Sequence, residues 1–366
     1  MDSEPDSTAA AILGLRDRAL AALDAGQPAL ALGLSAQALV MLATRGLRGG
    51  LDEAAVLIAR AEIQEALDQF AGARATITAA NAILADSLTG DADEDSVALW
   101  CQAQERTAGL ERLAGDHSAA AARLGAVLDR AAAVLGEASV PVASAASALG
   151  VVHKYSADFD AAETAYQRAA AAVAGMTAPD PLLEAGLLHN RGGLAHSRGD
   201  AAAGIPLAER GLALRRDALG PHHPDVARDL NALGALYHLA GRPGEAATAY
   251  QQALATFEES YGPAHLEVAM TCANLAVLHG DQGNDARAET LGCRSLGILT
   301  ALLGPDDPEV GLTLLNLAAA AAGQQQPALA RERASRAAVI LAGRLPADHP
   351  HVLAATQAAR RYGDPA

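Results

Sequence analysis

Two adjacent histidines and a nearby aspartate are the residues whose types and spacing could perform chemistry. His222, His223 and Asp225 lie in the stretch GPHHPDV, directly before an apolar segment. Imidazole and carboxylate groups at this spacing can form one corner of a metal site, and such a site would favour a metal-dependent hydrolase. The same residues can instead separate two helices. The two interpretations differ in whether the stretch should occur once or repeatedly.

The stretch recurs at a fixed interval in the second half of the chain. Related segments are GPAHLEV, GPDDPEV and LPADHPHV, and their valines are 42 residues apart at Val226, Val268, Val310 and Val352. His223 matches His265 and His349, with Asp307 at the intervening position. A residue type that recurs at one linker position is explained most simply as a cap or loop residue. We therefore expect no metal site at these histidines, which no HExxH motif or Cys/His cluster accompanies.

A small residue marks the same interval through almost the whole chain. Its positions are Ala31, Ala73, Ala120, Ala162, Gly204, Ala246, Ala288 and Ala330. Every interval is 42 residues except that from Ala73 to Ala120, which is 47, and we interpret the acidic segment 86–96 as the enlarged loop. The pattern predicts a repeat array over 12–349, with repeats starting near 12, 54, 101, 143, 185, 227, 269 and 311. An acidic tail, 1–11, precedes the array, and a capping helix with a tail, 350–366, follows it.

Each repeat has the pattern of two antiparallel helices. In the segment 224–241, Val226, Leu230 and Leu233 recur at three- and four-residue spacing, which defines one helical face. Pro224 suits the first helical turn, and Gly241 suits the end of the helix. A second helix follows from EAATAYQQAL. Neither helix can bury its apolar side alone, so neighbouring pairs must stack.

The residues at equivalent positions resemble the motif of the tetratricopeptide repeat family. The sixth repeat has Leu230, Leu233, Gly234, Tyr237, Ala246, Tyr250 and Ala253, and the fourth has Leu149, Gly150, Ala162, Tyr166 and Ala169. The 42-residue period and the GPxHPDVA linker are similar to the kinesin light chain-like repeats of bacterial proteins. The resemblance covers nearly the whole chain and is strongest in repeats four to eight. It implies an all-α, right-handed superhelical solenoid of about eight helix-turn-helix repeats with a C-terminal capping helix.

Composition and charge restrict the class of protein further. The chain has 366 residues, of which 51% are hydrophobic and only 3% aromatic, as is typical of closely packed Ala- and Leu-rich helices. The net charge of -16, with Lys154 as the only lysine, argues against a nucleic-acid partner. Three cysteines without CxxC spacing favour a reducing compartment. We find neither a signal peptide nor an apolar stretch of about 18 residues, and we expect a cytoplasmic protein without a membrane partner.

The other segments that could bind a metal or a phosphate, or perform catalysis, lack residues that their motifs require. The segment GDADEDS begins like a calcium loop, but Ser96 replaces the turn glycine and Gln102 stands where the bidentate glutamate belongs. Lys154 follows no glycine-rich phosphate loop, and no GxSxG elbow occurs. We therefore predict no catalytic residue, no metal and no cofactor.

The family resemblance assigns the first helix of each repeat to an inner groove. The candidate groove residues are Asn190, Asn231, Asn274, Asn316, His196, His238, Arg228, Lys154, Tyr155, Arg106, Arg112 and Gln102. Asn190, Asn274 and Asn316 share one register of the 42-residue period, and Asn231 is one residue before it. A carboxamide can both donate to and accept from a peptide main chain, and the corresponding asparagines of the family do so. The alternative is that these asparagines bond neighbouring helices and shape the solenoid.

These observations favour a non-enzymatic scaffold that holds an extended protein or peptide segment in the groove. A sensor or adaptor subunit that regulates a separate transcription factor, protease or ATPase is the alternative within binding functions. The alternative from another class is the metal-dependent hydrolase built on the linker histidines.

Overall fold

The computed structural model describes residues 4–67, 69–88, 93–347 and 349–363, and these ranges contain seventeen α-helices and no strand. The helices are α1 (Glu4–Asp24), α2 (Pro28–Thr44), α3 (Leu51–Ala66), α4 (Phe70–Ser87), α5 (Glu94–Leu113), α6 (His117–Leu135), α7 (Val140–Tyr155), α8 (Phe159–Gly175), α9 (Pro181–Ser197), α10 (Ala201–Leu219), α11 (Pro224–Leu239), α12 (Pro243–Tyr261), α13 (Leu266–Asp281), α14 (Asp285–Leu303), α15 (Pro308–Gly323), α16 (Pro327–Ala342) and α17 (Pro350–Gly363). They confirm the predicted all-α repeat solenoid. No helix in the described ranges is long and apolar enough to span a membrane.

The first helix of each repeat begins before the repeat start that the 42-residue spacing predicts. Helix α1 begins at Glu4, within the stretch that the sequence pattern assigns to a tail. In repeats six to eight the first helix begins three residues early, at Pro224, Leu266 and Pro308, because the capping residue and first turn precede the apolar stripe. Residues 89–92 of the expected acidic loop lie outside the described ranges. Within that loop, the Asp93 carboxylate caps α5 by accepting a hydrogen bond from the Ser96 N–H at 2.7 Å.

The chain forms two compact units, Met1–Arg198 with α1–α9 and Gly199–Ala366 with α10–α17. In the N-terminal unit, α1 packs on α2, α3 on α4, α5 on α6 and α7 on α8. In the C-terminal unit, α11 packs on α12, α13 on α14, and α15 on α16, and α17 covers α16. Each second helix also contacts the first helix of the next pair within its unit. Stacking of this kind buries the apolar side that a single pair leaves exposed.

The first helices form the inner layer of each unit. Consecutive first helices contact one another, from α1 through α9 in the N-terminal unit and from α11 through α17 in the C-terminal unit. Consecutive second helices make no such contacts among the described residues. First helices are therefore more closely spaced than second helices, and the side that they form is the concave one.

Small residues allow the two helices of a pair to approach closely. The repeated small residue of the second helix is buried in all eight repeats. On the first helix, Gly150 lies under the ring of Tyr166, and Gly234 lies under the ring of Tyr250. A methyl group on Gly234 would be 2.7 Å from a ring carbon of Tyr250, closer than packed carbon atoms come. The motif glycine is therefore required by the tyrosine that covers it.

Replacement of Gly234 by alanine should destabilise the C-terminal unit. The added methyl group must displace the buried Tyr250 ring, and overpacking of this kind costs about 1–3 kcal/mol. Urea unfolding followed by circular dichroism measures the loss. Gly244→Ala is the matched control, because the new methyl group would meet no atom within 4 Å, and its midpoint should not fall. An equal midpoint for Gly234→Ala and the wild-type chain would contradict this account.

Candidate partner-binding surface

The linker histidines act as helix caps. The Asp225 N–H donates to His223 Nδ1 at 3.1 Å, and the Glu267 N–H donates to His265 Nδ1 at 3.2 Å. Asp307 accepts the equivalent bond at 2.9 Å at the start of α15. The His351 N–H donates to His349 Nδ1 at 3.2 Å at the start of α17. One ring nitrogen of each histidine thus serves the backbone, and in the described part of the chain no three His, Cys, Asp or Glu residues come together as a metal site.

Two of the predicted asparagines join neighbouring first helices. Asn190 of α9 donates to the Ser147 hydroxyl of α7 at 3.1 Å, and Asn274 of α13 donates to the Asn231 carbonyl oxygen of α11 at 3.2 Å. The two residues of each pair are 43 positions apart, and the second pair lies 84 residues, or two repeats, after the first, so the two pairs are equivalent. Asn190, Asn231 and Asn274 are all half-buried. Hydrogen bonds across the inner layer are thus one role of these side chains.

Asn316 differs from the other two in its surroundings. The residue 43 positions before it is Ala273, which has no polar side-chain atom. Asn316 is exposed on α15, and its carboxamide has no side-chain partner among the described residues. Its donors and its acceptor are therefore available on the concave side of the C-terminal unit.

Carboxylates of the same chain pair with His238, Arg228 and Arg106. His238 Nε2 lies 2.9 Å from Asp281 Oδ2, which is 43 residues further along the chain. His196 lies on α9 and is exposed. Arg228 pairs with Asp225 and with Glu267 at 2.9 Å, and Arg106 pairs with Glu62 and with Glu65 at 3.7 Å. Their charges are therefore neutralised by carboxylates of the same chain.

A cationic and aromatic cluster remains in the N-terminal unit. The Arg112 guanidinium lies 4.8 Å from the centre of the Tyr155 ring, and Lys154 Nζ lies 5.0 Å from it. Burial lowers the pKa of Lys154, and the neighbouring Arg112 charge lowers it further. Neither cation forms a salt bridge with a described carboxylate. Tyr155 is 59% exposed, and Gln102 is exposed on α5. The cluster can receive a carboxylate from a partner.

An open cleft lies between α13, α14 and α15 in the C-terminal unit. Its volume is about 640 Å³ including the mouth. Its lining residues are Ala273, Ala276, Val277, Gly280, Asp281, Asp285, Ala288, Gly292, Thr313, Asn316, Leu317, Ala319 and Ala320. Asn316 lines the cleft together with the carboxylates of Asp281 and Asp285, which the sequence motifs do not indicate. The spacing of 43 between His238 and Asp281 is the signal by which Asp281 could have been found.

Glu105 is a second residue that the sequence analysis missed. It lies on α5 and accepts a hydrogen bond from the Ser144 hydroxyl of α7. Burial raises the pKa of Glu105 to about 7, although the Ser144 bond and the Arg106 charge act in the opposite direction. Glu105, Ser147 and Asn231 are separated by whole multiples of 42 residues, so they occupy equivalent positions. All three take part in polar contacts between first helices.

Comparison with known proteins finds tetratricopeptide repeats in the second half of the chain. Family models described as tetratricopeptide repeat match residues 183–259 and 268–309. Together with the helix pairs described above, these matches support a tetratricopeptide repeat protein, as the sequence motif predicts. A search of curated protein sequences finds no match.

Solved structures share the fold at low sequence identity. A Rap protein complexed with Competence and Sporulation Factor has a TM-score of 0.59 at 12% identity, with 97% of each chain covered. The apo form of the quorum sensor NprR from B. thuringiensis has a TM-score of 0.58 at 12% identity, with 83% of each chain covered. BtubC (BKLC) from P. vanneervenii is 23% identical over 66% of this chain and 90% of its own, with a TM-score of 0.49. The first two comparisons support the helical solenoid.

Loss of the His223 cap should destabilise α11. His223→Ala removes the acceptor for the Asp225 N–H, and loss of an N-cap costs about 0.5–2 kcal/mol. His223→Asp should keep most of the stability, because Asp307 accepts the same bond in repeat eight. Urea midpoints compare the variants, with His222→Ala, at the exposed neighbouring residue, as the control. A His223→Asp variant as unstable as His223→Ala would rule out the capping role.

Glu105 should make stability depend on pH. Its pKa is raised in the folded state, so its contribution is fully present below the unfolded pKa near 4.5 and is lost as pH rises to about 7. The loss is roughly 3 kcal/mol, since one pKa unit corresponds to about 1.4 kcal/mol. Unfolding free energies from pH 4.5 to 7.5 test this, and Glu105→Gln should show a smaller decline over that range. Equal pH profiles for the two proteins would contradict the raised pKa.

Proposed function

We propose that this protein is a non-enzymatic scaffold that binds an extended segment of a partner protein or peptide along the first helices. The tetratricopeptide fold supports a role in protein interaction, and the observation that supports the binding mode is the Asn316 carboxamide. It is exposed on the concave side, and its pairing position is occupied by Ala273. A carboxamide with free donors and a free acceptor can bond the main chain of an extended peptide without regard to its sequence.

The other groove residues would have supporting roles. Asn190 and Asn274 fix the spacing of neighbouring first helices through Ser147 and Asn231, and a rigid surface loses less entropy on binding. In the N-terminal unit, Arg112, Lys154 and Tyr155 offer two cations beside an exposed ring to an acidic or carboxylate-bearing part of the partner. The use of His223 and His265 Nδ1 as backbone acceptors supports a binding function over metal-dependent hydrolysis.

A sensor or adaptor that regulates a separate effector is the second candidate. The Rap protein complexed with Competence and Sporulation Factor and the quorum sensor NprR favour it as fold neighbours. In that function a short peptide on the concave side would change the affinity for an effector. Release of a co-purified effector on addition of a groove-binding peptide tests this candidate, and an effector that stays bound at saturating peptide speaks against it.

Asn316→Ala should weaken peptide binding without a change in stability. A peptide selected from a random display library against the full chain is the probe, and calorimetric titration measures its affinity. Loss of a backbone hydrogen bond of about 0.5–1.5 kcal/mol corresponds to a roughly two- to tenfold weaker Kd. Asn274→Ala should also lower the unfolding midpoint, because it breaks the bond to Asn231.

Gln251→Ala is the matched control. It removes an exposed carboxamide from α12, a second helix, and should change neither affinity nor stability. Unchanged affinity of a correctly folded Asn316→Ala protein would refute binding through this carboxamide. A display selection that returns no binding peptide would refute the peptide-binding function itself.

A further inference from the structure

The cleft of the C-terminal unit occupies the place where other repeats have a tyrosine ring. In repeat six, the Tyr250 ring covers Gly234. The residues 42 positions later are Gly292 in place of the tyrosine and Ala276 in place of the glycine. One methyl group is gained and one phenol ring is lost, so repeat seven has less side-chain volume between its helices.

The neighbouring helix fills only part of the missing volume. Leu317 of α15 lies over Gly292, where an added Cβ would be 2.7 Å from its Cδ2 atom. Ala276, Ala288 and Ala320 are buried around it, and none of them has a side chain long enough to fill the rest. The result is the open cleft, with a floor of small apolar residues.

Two carboxylates give the cleft a negative charge. Asp285 begins α14, and its carboxylate has no side-chain hydrogen-bond partner or salt bridge among the described residues. Asp281 is 66% exposed, and His238 contacts only its Oδ2 atom. Asn316, exposed on the same cleft, adds the free carboxamide. An apolar floor next to carboxylates complements a side chain with an aliphatic stem and a cationic head.

We propose that this cleft binds an arginine or lysine side chain of a basic partner segment. The methylene groups of that side chain lie on the Ala276, Ala288 and Ala320 floor, and its cationic head pairs with Asp285 and Asp281. Asn316 bonds the adjacent main chain, so this inference rests on the proposed function. The net charge of -16 attracts a basic segment over longer distances.

The test is a selection of random 12-residue peptides displayed on phage against the full chain, followed by titration of synthetic copies. We expect selected peptides to be enriched in arginine and lysine, and to bind Asp285→Asn at least tenfold more weakly. Their affinity should also fall as salt concentration rises. Asp217→Asn makes the same charge change at an exposed position of α10 and should stay within twofold of the wild-type affinity.

A second variant fills the cleft without a change of charge. The double substitution Ala276→Gly and Gly292→Tyr introduces the residue pair found at Gly234 and Tyr250. The new side chain must displace Leu317, so circular dichroism checks the folding of the variant. Binding of the basic peptides should fall at least tenfold in this variant. If it does not fold, Asp285→Asn decides the question alone.

The outcomes separate this inference from the proposed function. Two results would overturn the inference. One is the selection of peptides without basic residues, for example peptides that place an aromatic side chain on the floor of the cleft. The other is unchanged binding of the basic peptides to Asp285→Asn. If such peptides still lose affinity on Asn316→Ala, the scaffold function stands and only the basic partner is refuted.

Discussion

The spacing of the two helices in a pair depends on the combined size of the residues that face each other. Where the first helix has Gly150 or Gly234, the second helix supplies Tyr166 or Tyr250, and the ring lies directly on the backbone. Protein interiors are packed at nearly crystalline density, so such a position tolerates neither an added methyl group nor a missing ring unless its neighbours move. Stacking of consecutive repeats relies on this fit, because each pair must present a well-defined apolar side to the next.

Repeat seven shows what happens when the fit is incomplete. Gly292 provides no ring, the methyl group of Ala276 replaces only a fraction of the missing volume, and Leu317 packs directly against Gly292. The surrounding helices are held by their other contacts, so they do not collapse completely and an opening remains. The same packing rule that stabilises repeat six therefore produces a cleft in repeat seven, beside the asparagine with a free carboxamide.

Equivalent side chains have different roles because their neighbours differ. Asn190 and Asn274 donate to Ser147 and Asn231, and these bonds hold adjacent first helices together. Asn316 occupies the equivalent position of its own repeat, but the residue at its pairing position is Ala273, which has no polar side-chain atom. The linker histidines show the converse, since His223, His265 and Asp307 differ in chemistry but accept the same backbone hydrogen bond. The residue type alone is thus a poor guide to which groups are available to a ligand.

The sequence by itself determined the repeat architecture. The 42-residue spacing, the buried small residue of each second helix and the glycine at helix ends are local signals, and they act through helix periodicity and capping within a few residues. The tertiary structure decided which polar groups are used and which are free. Contacts between residues 43 positions apart, the volume left by Gly292 and the burial of Glu105 all depend on how side chains from different helices meet. Such contacts are set by packing between repeats, and no local pattern specifies them.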